Sequence, residues 1–398
     1  MLPKIVLMQL CLLCFHSISG YSPDIPKDLL EVLEQITPNF EENLRRAFIN
    51  EGLHIQIMSG GTKHPLDDVL ATIDNNILEL RNLKLTRTPD FKVNNFTVDL
   101  TMLTINVTLA PGQLQIEGEY EVTNKSLQKI LPISQVGKIN IVLENVTCVG
   151  RVGIYIKEDS FVVENYDVTY RPSEVSIRVS YFKEDGIEVD NEIADSDIEG
   201  NQIVKSFWNQ LTYVLTNLLH RQLGAVIVEF SVNELFPDEE GPQKMRDFAR
   251  QRALSANRLL DSLLCTAKTY LVDKSKRILE AVPLDVVFKG RPPATQQGSF
   301  KTDMGQASDM ATLTRSKEMS ILEEKEILII YGQIRLREFK LNYESYKAEY
   351  GDTVSAGSTR TTIYRNKIFV KFLIEQVNNN DWYRQGVRGR RYIGTKYS

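Results

Sequence analysis

Cysteine is scarce in this chain, and half of the cysteines lie in an N-terminal segment that the sequence predicts to be cleaved. The 398 residues include four cysteines, of which Cys11 and Cys14 precede Gly20. The remaining two, Cys148 and Cys265, are too few for a disulfide framework, so the fold must rest on a hydrophobic core. Spacing leaves open whether these two pair, because free cysteine also packs as a small hydrophobic residue.

Histidine is equally rare, and its positions match no metal or catalytic pattern. Beyond Gly20 the chain has His54, His64 and His220. Their spacing is not that of zinc ligands, and none lies in a sequence context typical of a nucleophile, base and acid triad. No glycine-rich phosphate loop occurs either. We therefore expect no metal, no cofactor and no enzymatic activity.

Neither sign of charge dominates the composition. The formal net charge is -5, which argues against a nucleic-acid partner. Hydrophobic residues make up 42% and charged residues 25%, as in a globular protein. The length suggests two or three domains.

Long hydrophobic runs are absent apart from residues 5–15, a run too short to span a membrane. It follows Lys4 and precedes the small residues Ser17, Ser19 and Gly20, which is the organisation of a secretory signal peptide over 1–20. The alternative is an uncleaved anchor. We predict a secreted, extracellular protein with no stable membrane span.

Asn-x-Ser/Thr acceptor sites follow the signal peptide. They lie at Asn95, Asn106, Asn124 and Asn145. A secreted chain with such sites is predicted to be a glycoprotein, and each modified asparagine must then face solvent.

Hydrophobic spacing predicts a helix followed by many strands. Helical spacing covers about 26–50, with a kink or a break near Pro38, and a shorter helix is expected at 65–75. From Ile77 the period becomes two, which predicts long antiparallel strands with one apolar face. Residues 96–109 are predicted as one bulged strand, and Pro111-Gly112 as the turn that follows it.

A second long helix closes this pattern. Residues 184–200 are acidic, and since their spacing does not match a calcium loop, a solvated loop is favoured. A strongly apolar helix follows at about 201–224. Because a long apolar sheet face must be covered, we predict an α+β fold in which a long, highly curved antiparallel sheet wraps around this helix.

The hexapeptide Asn233-Glu234-Leu235-Phe236-Pro237-Asp238 is predicted to end the first unit, which spans 21–240. A helical pattern then begins at about 243, a Gly-, Pro- and Ser-rich stretch at 289–317 favours a flexible loop, and strands resume at Ile327. Since this order repeats the start of the first unit, we predict a partial second copy over 241–398.

Several motifs resemble those of insect juvenile-hormone-binding and takeout-like proteins. These proteins have a proline-marked turn followed by an apolar-x-apolar-x-Gly-x-Tyr strand, as in Pro111 and Leu114 to Tyr120. His64-Pro65-Leu66 is similar to their Asp-Pro-Leu, and Asn233 to Pro237 is similar to their closing Asp-Glu-Leu-Phe-Pro. The resemblance covers about 25–240.

The resemblance implies a lipid-binding fold with an apolar tunnel, related to the modules of bactericidal/permeability-increasing proteins and to mite group 7 allergens. The insect family usually has a cysteine pair near the mature N-terminus, which this chain lacks. The expected ligand is therefore a broad class: a terpenoid hormone, a fatty acid or a similar lipid.

We thus predict a secreted carrier of a small hydrophobic ligand. The inward positions of the strands and of the second helix supply the candidate lining, which comprises Phe96, Leu100, Leu103, Ile105, Leu114, Ile116, Tyr120, Phe207, Leu211 and Leu215. Parity does not distinguish a tunnel from a filled core. The alternative is a secreted glycoprotein with a filled core that acts through protein or microbial-surface contacts. The sequence identifies no protein partner.

Overall fold

The chain forms an α+β structure built on antiparallel sheets, as predicted. The computed structural model describes residues 25–58, 64–73, 76–87, 92–122, 136–182, 187–196, 202–275, 279–281, 283, 285–289, 297–324, 327–364, 367–377 and 381–386. Within these ranges there are twenty strands in three sheets, together with α-helices and one 3-10 turn at Met310–Thr312. The predicted signal peptide lies outside the described residues.

Two long helices precede residue 240 and one follows it, with a short helix between them; below, the residues before 240 are called the first half and those after it the second half. Their bounds are α1 Lys27–Met58, α2 Gln202–Ile227, α3 Val232–Leu235 and α4 Gly241–Ser275. Helix α1 continues through Pro38, so of the kink or break predicted there the break does not occur. Leu33 and Phe40, on either side of that proline, are both buried, and such packing holds a helix together despite one missing hydrogen bond.

The first half of the chain forms a nine-stranded sheet. Its path runs β1-β3-β5-β6-β8-β9, with β2 paired to β3, β4 to β5 and β7 to β6. The strand bounds are β1 His64–Pro65, β2 Val69–Ile73, β3 Asn76–Arg87, β4 Lys92–Asp99, β5 Thr104–Val122, β6 Val136–Lys157, β7 Ser160–Arg171, β8 Glu174–Phe182 and β9 Glu188–Ser196.

The region predicted as one strand over 96–109 is a hairpin of β4 and β5. Its turn is made by Asp99, whose carboxylate accepts hydrogen bonds from the Thr101 hydroxyl and the Met102 amide, and by Leu103 in the left-handed region with φ 52°. Pro111-Gly112, predicted as the turn, lies inside β5, where the pairing with β6 shifts register. An aspartate that bonds nearby backbone groups is itself a turn former.

Two further local predictions were wrong. Residues 65–75 were expected to be helical, but they contain β2, which pairs with β3. The acidic stretch predicted as a solvated loop contains β9, which pairs with β8 at the edge of the sheet. Edge strands tolerate charged side chains because one side faces solvent, so the acidity of this stretch did not prevent pairing.

The second half of the chain forms two smaller sheets. A six-stranded sheet follows β10-β13-β17-β12-β11 with β18 on β17, and a five-stranded sheet follows β14-β16-β19-β20 with β15 on β16. The bounds are β10 Leu279–Ala281, β11 Asp285–Lys289, β12 Gln297–Thr302, β13 Gly305–Ser308, β14 Leu313–Arg315, β15 Ser320–Glu324, β16 Ile327–Leu336, β17 Phe339–Tyr350, β18 Thr353–Ile363, β19 Ile368–Val377 and β20 Asp381–Gly386.

Part of the predicted loop at 289–317 is therefore ordered as strands. β12 and β13 both pair with β17, and β14 pairs with β16. Composition favoured a loop, but partners far along the chain supply the hydrogen bonds that make these short strands stable.

A continuous hydrophobic cluster, the main core, lies between the nine-stranded sheet and helices α1 and α2. Helix α2 packs against β2, β7 and α1. A smaller cluster joins α4 to the five-stranded sheet through Leu260, Met319 and Ile330. Cys148 is buried in the main core whereas Cys265 is exposed on α4, and no disulfide joins these two described residues.

The closing hexapeptide connects the first half to α4 through a polar network. Ser231 caps α3 by accepting hydrogen bonds from the amides of Asn233 and Glu234. The Asp159 carboxylate accepts from the Ser231 hydroxyl, the Asn233 amide and the Arg246 guanidinium. Through Asp159, hydrogen bonds thus connect the start of α4 and the residues that precede it to the turn between β6 and β7.

Candidate functional site

The predicted lining residues converge on the main core. Nine of the ten have described side chains, and each of these nine is buried, with at most 7% exposure at Leu103. They come from β4, β5, the turn between these strands, and α2. Phe207 lies in α2, but its side chain is outside the described part of the structure. The nine belong to one contiguous hydrophobic cluster, and their role as ligand lining stays a prediction.

Aromatic contacts close the core on the side of α1. Phe48 stacks on Phe96 with ring centroids 5.6 Å apart. Phe40 lies 5.0 Å from Phe161 and meets Phe230 edge-on at 5.3 Å. Offset and edge-on pairs are the favourable arrangements for aromatic rings. Helix α1 therefore forms a wall of the apolar interior, which the sequence prediction had assigned only to the sheet and the second helix.

Helix α2 forms a second wall, next to α1, and packs against β7. Tyr170 donates a hydrogen bond from its hydroxyl to the Leu215 carbonyl at 3.1 Å. Further along, Tyr166 meets His220 edge-on with ring centroids 5.4 Å apart. β7 therefore fixes the rotation of α2, and Leu211, Leu215 and Leu218 point into the core.

A polar side chain shares this apolar stripe. Gln222 follows Leu218 by four residues and precedes Val226 by four, so all three lie on one face of the helix. Gln222 is only 4% exposed, and its Nε2 has no hydrogen-bond partner in the described part of the chain. The sequence prediction ended its apolar stripe at Leu218. Extending the same spacing by one turn would have found this residue.

A separate cleft lies where β7 and α2 meet the five-stranded sheet. Its volume is ≈ 230 Å³, and its walls include Asn165, Tyr166, Asn217, Gln333 and Phe369. None of the ten predicted lining residues contributes to it. Because its walls are polar and charged as well as aromatic, this cleft is chemically unlike the main core.

Electrostatics in the cleft reflect partial burial and paired charges. Glu164 pairs with Lys317, and Asp167 pairs with Lys371. Burial lowers the pKa of His220, an effect that nearby Glu164 opposes, and burial raises the pKa of Tyr166 well above its usual value. Both rings are therefore neutral near pH 7.

The predicted acceptor asparagines differ in exposure. Asn95 and Asn145 are exposed, whereas Asn106 is half-buried and bonded to Thr97 and Arg151. Asn124 lies outside the described residues. Glycosylation at these positions stays a prediction.

In the described part of the chain, histidine, cysteine and carboxylate side chains nowhere gather in threes in a way that would hold a metal ion. No described helix is both long enough and apolar enough to cross a membrane.

A family model described as haemolymph juvenile hormone binding protein matches residues 72–238. This segment belongs to that family. The family predicted from sequence motifs is thereby confirmed over the matched residues, which begin in β2 and end at Asp238, the last residue of the hexapeptide. The family is named for binding rather than for catalysis.

Two solved structures are similar to this chain at low identity. Takeout 1 of Epiphyas postvittana is 18% identical, with a TM-score of 0.27, over 56% of this chain and 89% of that protein. A lipopolysaccharide binding protein is 9% identical, with a TM-score of 0.20, over 90% of this chain and 84% of that protein. No curated protein matches the chain.

Proposed function

We propose that this protein is a secreted carrier that holds a small hydrophobic ligand in the apolar interior between α1, α2 and the nine-stranded sheet. The observation that carries the proposal is the family match over 72–238, which spans most of the strands and the helix that supply this interior. The ligand class is a terpenoid, a fatty acid or a similar lipid.

The same proposal includes the finer features that the resemblance and the sequence patterns predict. The nine-stranded sheet curves around α2, and the interior is a tunnel rather than a filled core. Residues 241–398 are a partial second copy of the same helix-plus-strands unit. The protein leaves the cell after removal of 1–20 and carries glycans at its acceptor asparagines.

Burial of the ligand's apolar surface would provide the binding energy. Each buried CH₂ group contributes about 0.8 kcal/mol, so an acyl chain of about a dozen carbons binds at micromolar affinity or better after the costs of association. A filled core offers no such gain, because its side chains already occupy the space.

The direct test is ligand binding by delipidated protein. A fluorescent fatty acid should bind with saturable, displaceable signal, and native mass spectrometry of the purified protein should detect bound lipid. Absence of both results would overturn the carrier proposal and favour the glycoprotein with a filled core.

Leu211→Trp tests where the ligand lies. Leu211 is 1% exposed on the inner face of α2, so the larger indole should occupy space that the ligand needs. We expect the affinity for the probe to fall by about tenfold or more, which corresponds to a loss of roughly 1.4 kcal/mol of binding energy. Leu254→Trp is the matched control, because Leu254 is 40% exposed on α4. Circular dichroism checks that both variants are folded. Equal binding by both variants would exclude α2 as a wall of the ligand site.

A further inference from the structure

We infer that Gln222 is the polar anchor of the interior and selects apolar ligands that carry an oxygen acceptor, such as an ester or ketone. The inference rests on the proposed function, since it concerns a ligand held in the main core. It names a residue and a chemical class that hydrophobic patterning does not supply.

Gln222 lies on the face of α2 that points into the main core. It follows Leu215 by seven residues and Leu218 by four, which places it on the helix face that these leucines turn toward the core. Leu219 and Val226 lie on the same side and are also buried. An amide therefore interrupts the apolar stripe between Leu218 and Val226, near the C-terminal end of the helix.

The side-chain amide nitrogen of Gln222 is buried without a hydrogen-bond partner in the described structure. An unpartnered buried donor destabilises the folded state, and native proteins rarely keep one without a reason. Leucine at this position would continue the stripe and remove the cost.

The chemistry of the amide gives the ligand class. Apolar pockets orient their ligands through a few polar groups, and an amide nitrogen donates to carbonyl or ether oxygen. A ligand with such an oxygen satisfies the donor, whereas a pure hydrocarbon leaves it unsatisfied. Discrimination between these two classes is thus the expected property of the site.

Two ligands of matched size test this inference. Methyl palmitate and the alkane of equal length compete for N-phenyl-1-naphthylamine bound to the delipidated full-length protein. We expect the wild type to prefer the ester by about tenfold, the gain of one satisfied hydrogen bond. Gln222→Leu should abolish this preference and raise the thermal unfolding midpoint of the ligand-free protein.

Gln251→Leu is the matched control, because Gln251 is an exposed glutamine on α4, and it should leave both readouts unchanged. Gln222→Met supplies a second variant of similar shape should the leucine variant not fold. An ester preference that survives in Gln222→Leu or Gln222→Met, or a wild type without preference, overturns the inference while carriage itself stands. Failure of the wild type to bind the dye or either ligand overturns the proposed function as well.

Discussion

Asp159 shows how one side chain joins two parts of the molecule. It lies in the turn between β6 and β7 and accepts hydrogen bonds from the amide of Asn233 and from the hydroxyl and guanidinium groups of Ser231 and Arg246. The bond from Ser231 is the main reason that the pKa of Asp159 is lowered. The ionised carboxylate is therefore the form that the folded protein favours.

We predict that Asp159→Asn lowers the stability of the protein at neutral pH but not at strongly acidic pH. Because the folded pKa lies below the unfolded value of about 4, the carboxylate stabilises the fold above that value, and the contribution is lost as pH falls through the folded pKa. Urea denaturation across pH 2 to 7 measures the difference. Glu158→Gln, at the neighbouring exposed position, is the control. A constant difference across this range would contradict the assignment.

Residue burial in the first half could be predicted from period-two spacing, because alternate side chains of a strand point to one face. Ile105, Leu114 and Ile116 are all buried as expected. The spacing places Gln222 on the buried face of α2, but the predicted stripe was drawn from hydrophobic residues and ended at Leu218. Whether such a residue has a partner depends on the surrounding strands, which sequence alone does not place.

At the scale of elements, the two halves meet along a polar seam formed by Tyr155, Asn165, Glu318 and Ser320. The Asn165 amide donates to the Tyr155 hydroxyl, the Ser320 hydroxyl and the Glu318 carbonyl. β6 approaches this seam at Gly153, where an added Cβ would lie 2.2 Å from the Ser320 hydroxyl oxygen. Glycine is thus required for the close packing of β6 against β15.

We predict that Gly153→Ala destabilises the protein by about 1–3 kcal/mol, the usual cost of overpacking. Gly224→Ala is a matched substitution in helix α2, where the new methyl would meet Val163 at an ordinary 3.9 Å. That change should stabilise by about 0.5–1 kcal/mol, as expected when alanine replaces glycine in a helix. Urea denaturation measures both, and equal effects would show that the seam does not depend on Gly153.

Helices and strands were predictable where the spacing of hydrophobic residues determined them. They were less predictable where a strand forms only by pairing with a strand far along the chain. β3, β16, α2 and α4 follow clear spacing and were found with small boundary errors. The β4–β5 hairpin was missed because its turn depends on a single aspartate, Asp99, rather than on proline and glycine. β12 and β13 were missed because they exist through pairing with β17.

At the scale of the whole molecule, paired charges join the nine-stranded sheet to the five-stranded sheet. Lys371 of β19 pairs with Asp167 of β7, and Arg151 of β6 pairs with Glu324 of β15. These pairs flank the polar seam and the cleft beside α2. The two halves therefore meet through charges and hydrogen bonds as well as apolar contacts: Phe248 of α4 belongs to the main core, and Met102 packs against a cluster that contains Tyr331.

We predict that the Asp167–Lys371 pair couples the two halves in a salt-dependent way. In a double-mutant cycle with Asp167→Asn and Lys371→Met, the coupling energy should be about 1 kcal/mol in low salt, since both side chains are largely buried, at 22% and 26% exposure. Added salt should reduce it, because ions screen charges that remain partly in contact with solvent.

The Lys347–Glu349 pair provides the control cycle, because it lies within β17 at 61% and 47% exposure and should couple by less than half as much. Scanning calorimetry adds a global readout: the Lys371→Met variant should separate the unfolding of the two halves into distinct transitions. Equal coupling in the two pairs, together with a single unchanged transition, would mean that the Asp167–Lys371 pair does not couple the two halves. The polar seam and the apolar contacts of Phe248 and Met102 would then account for their cooperativity.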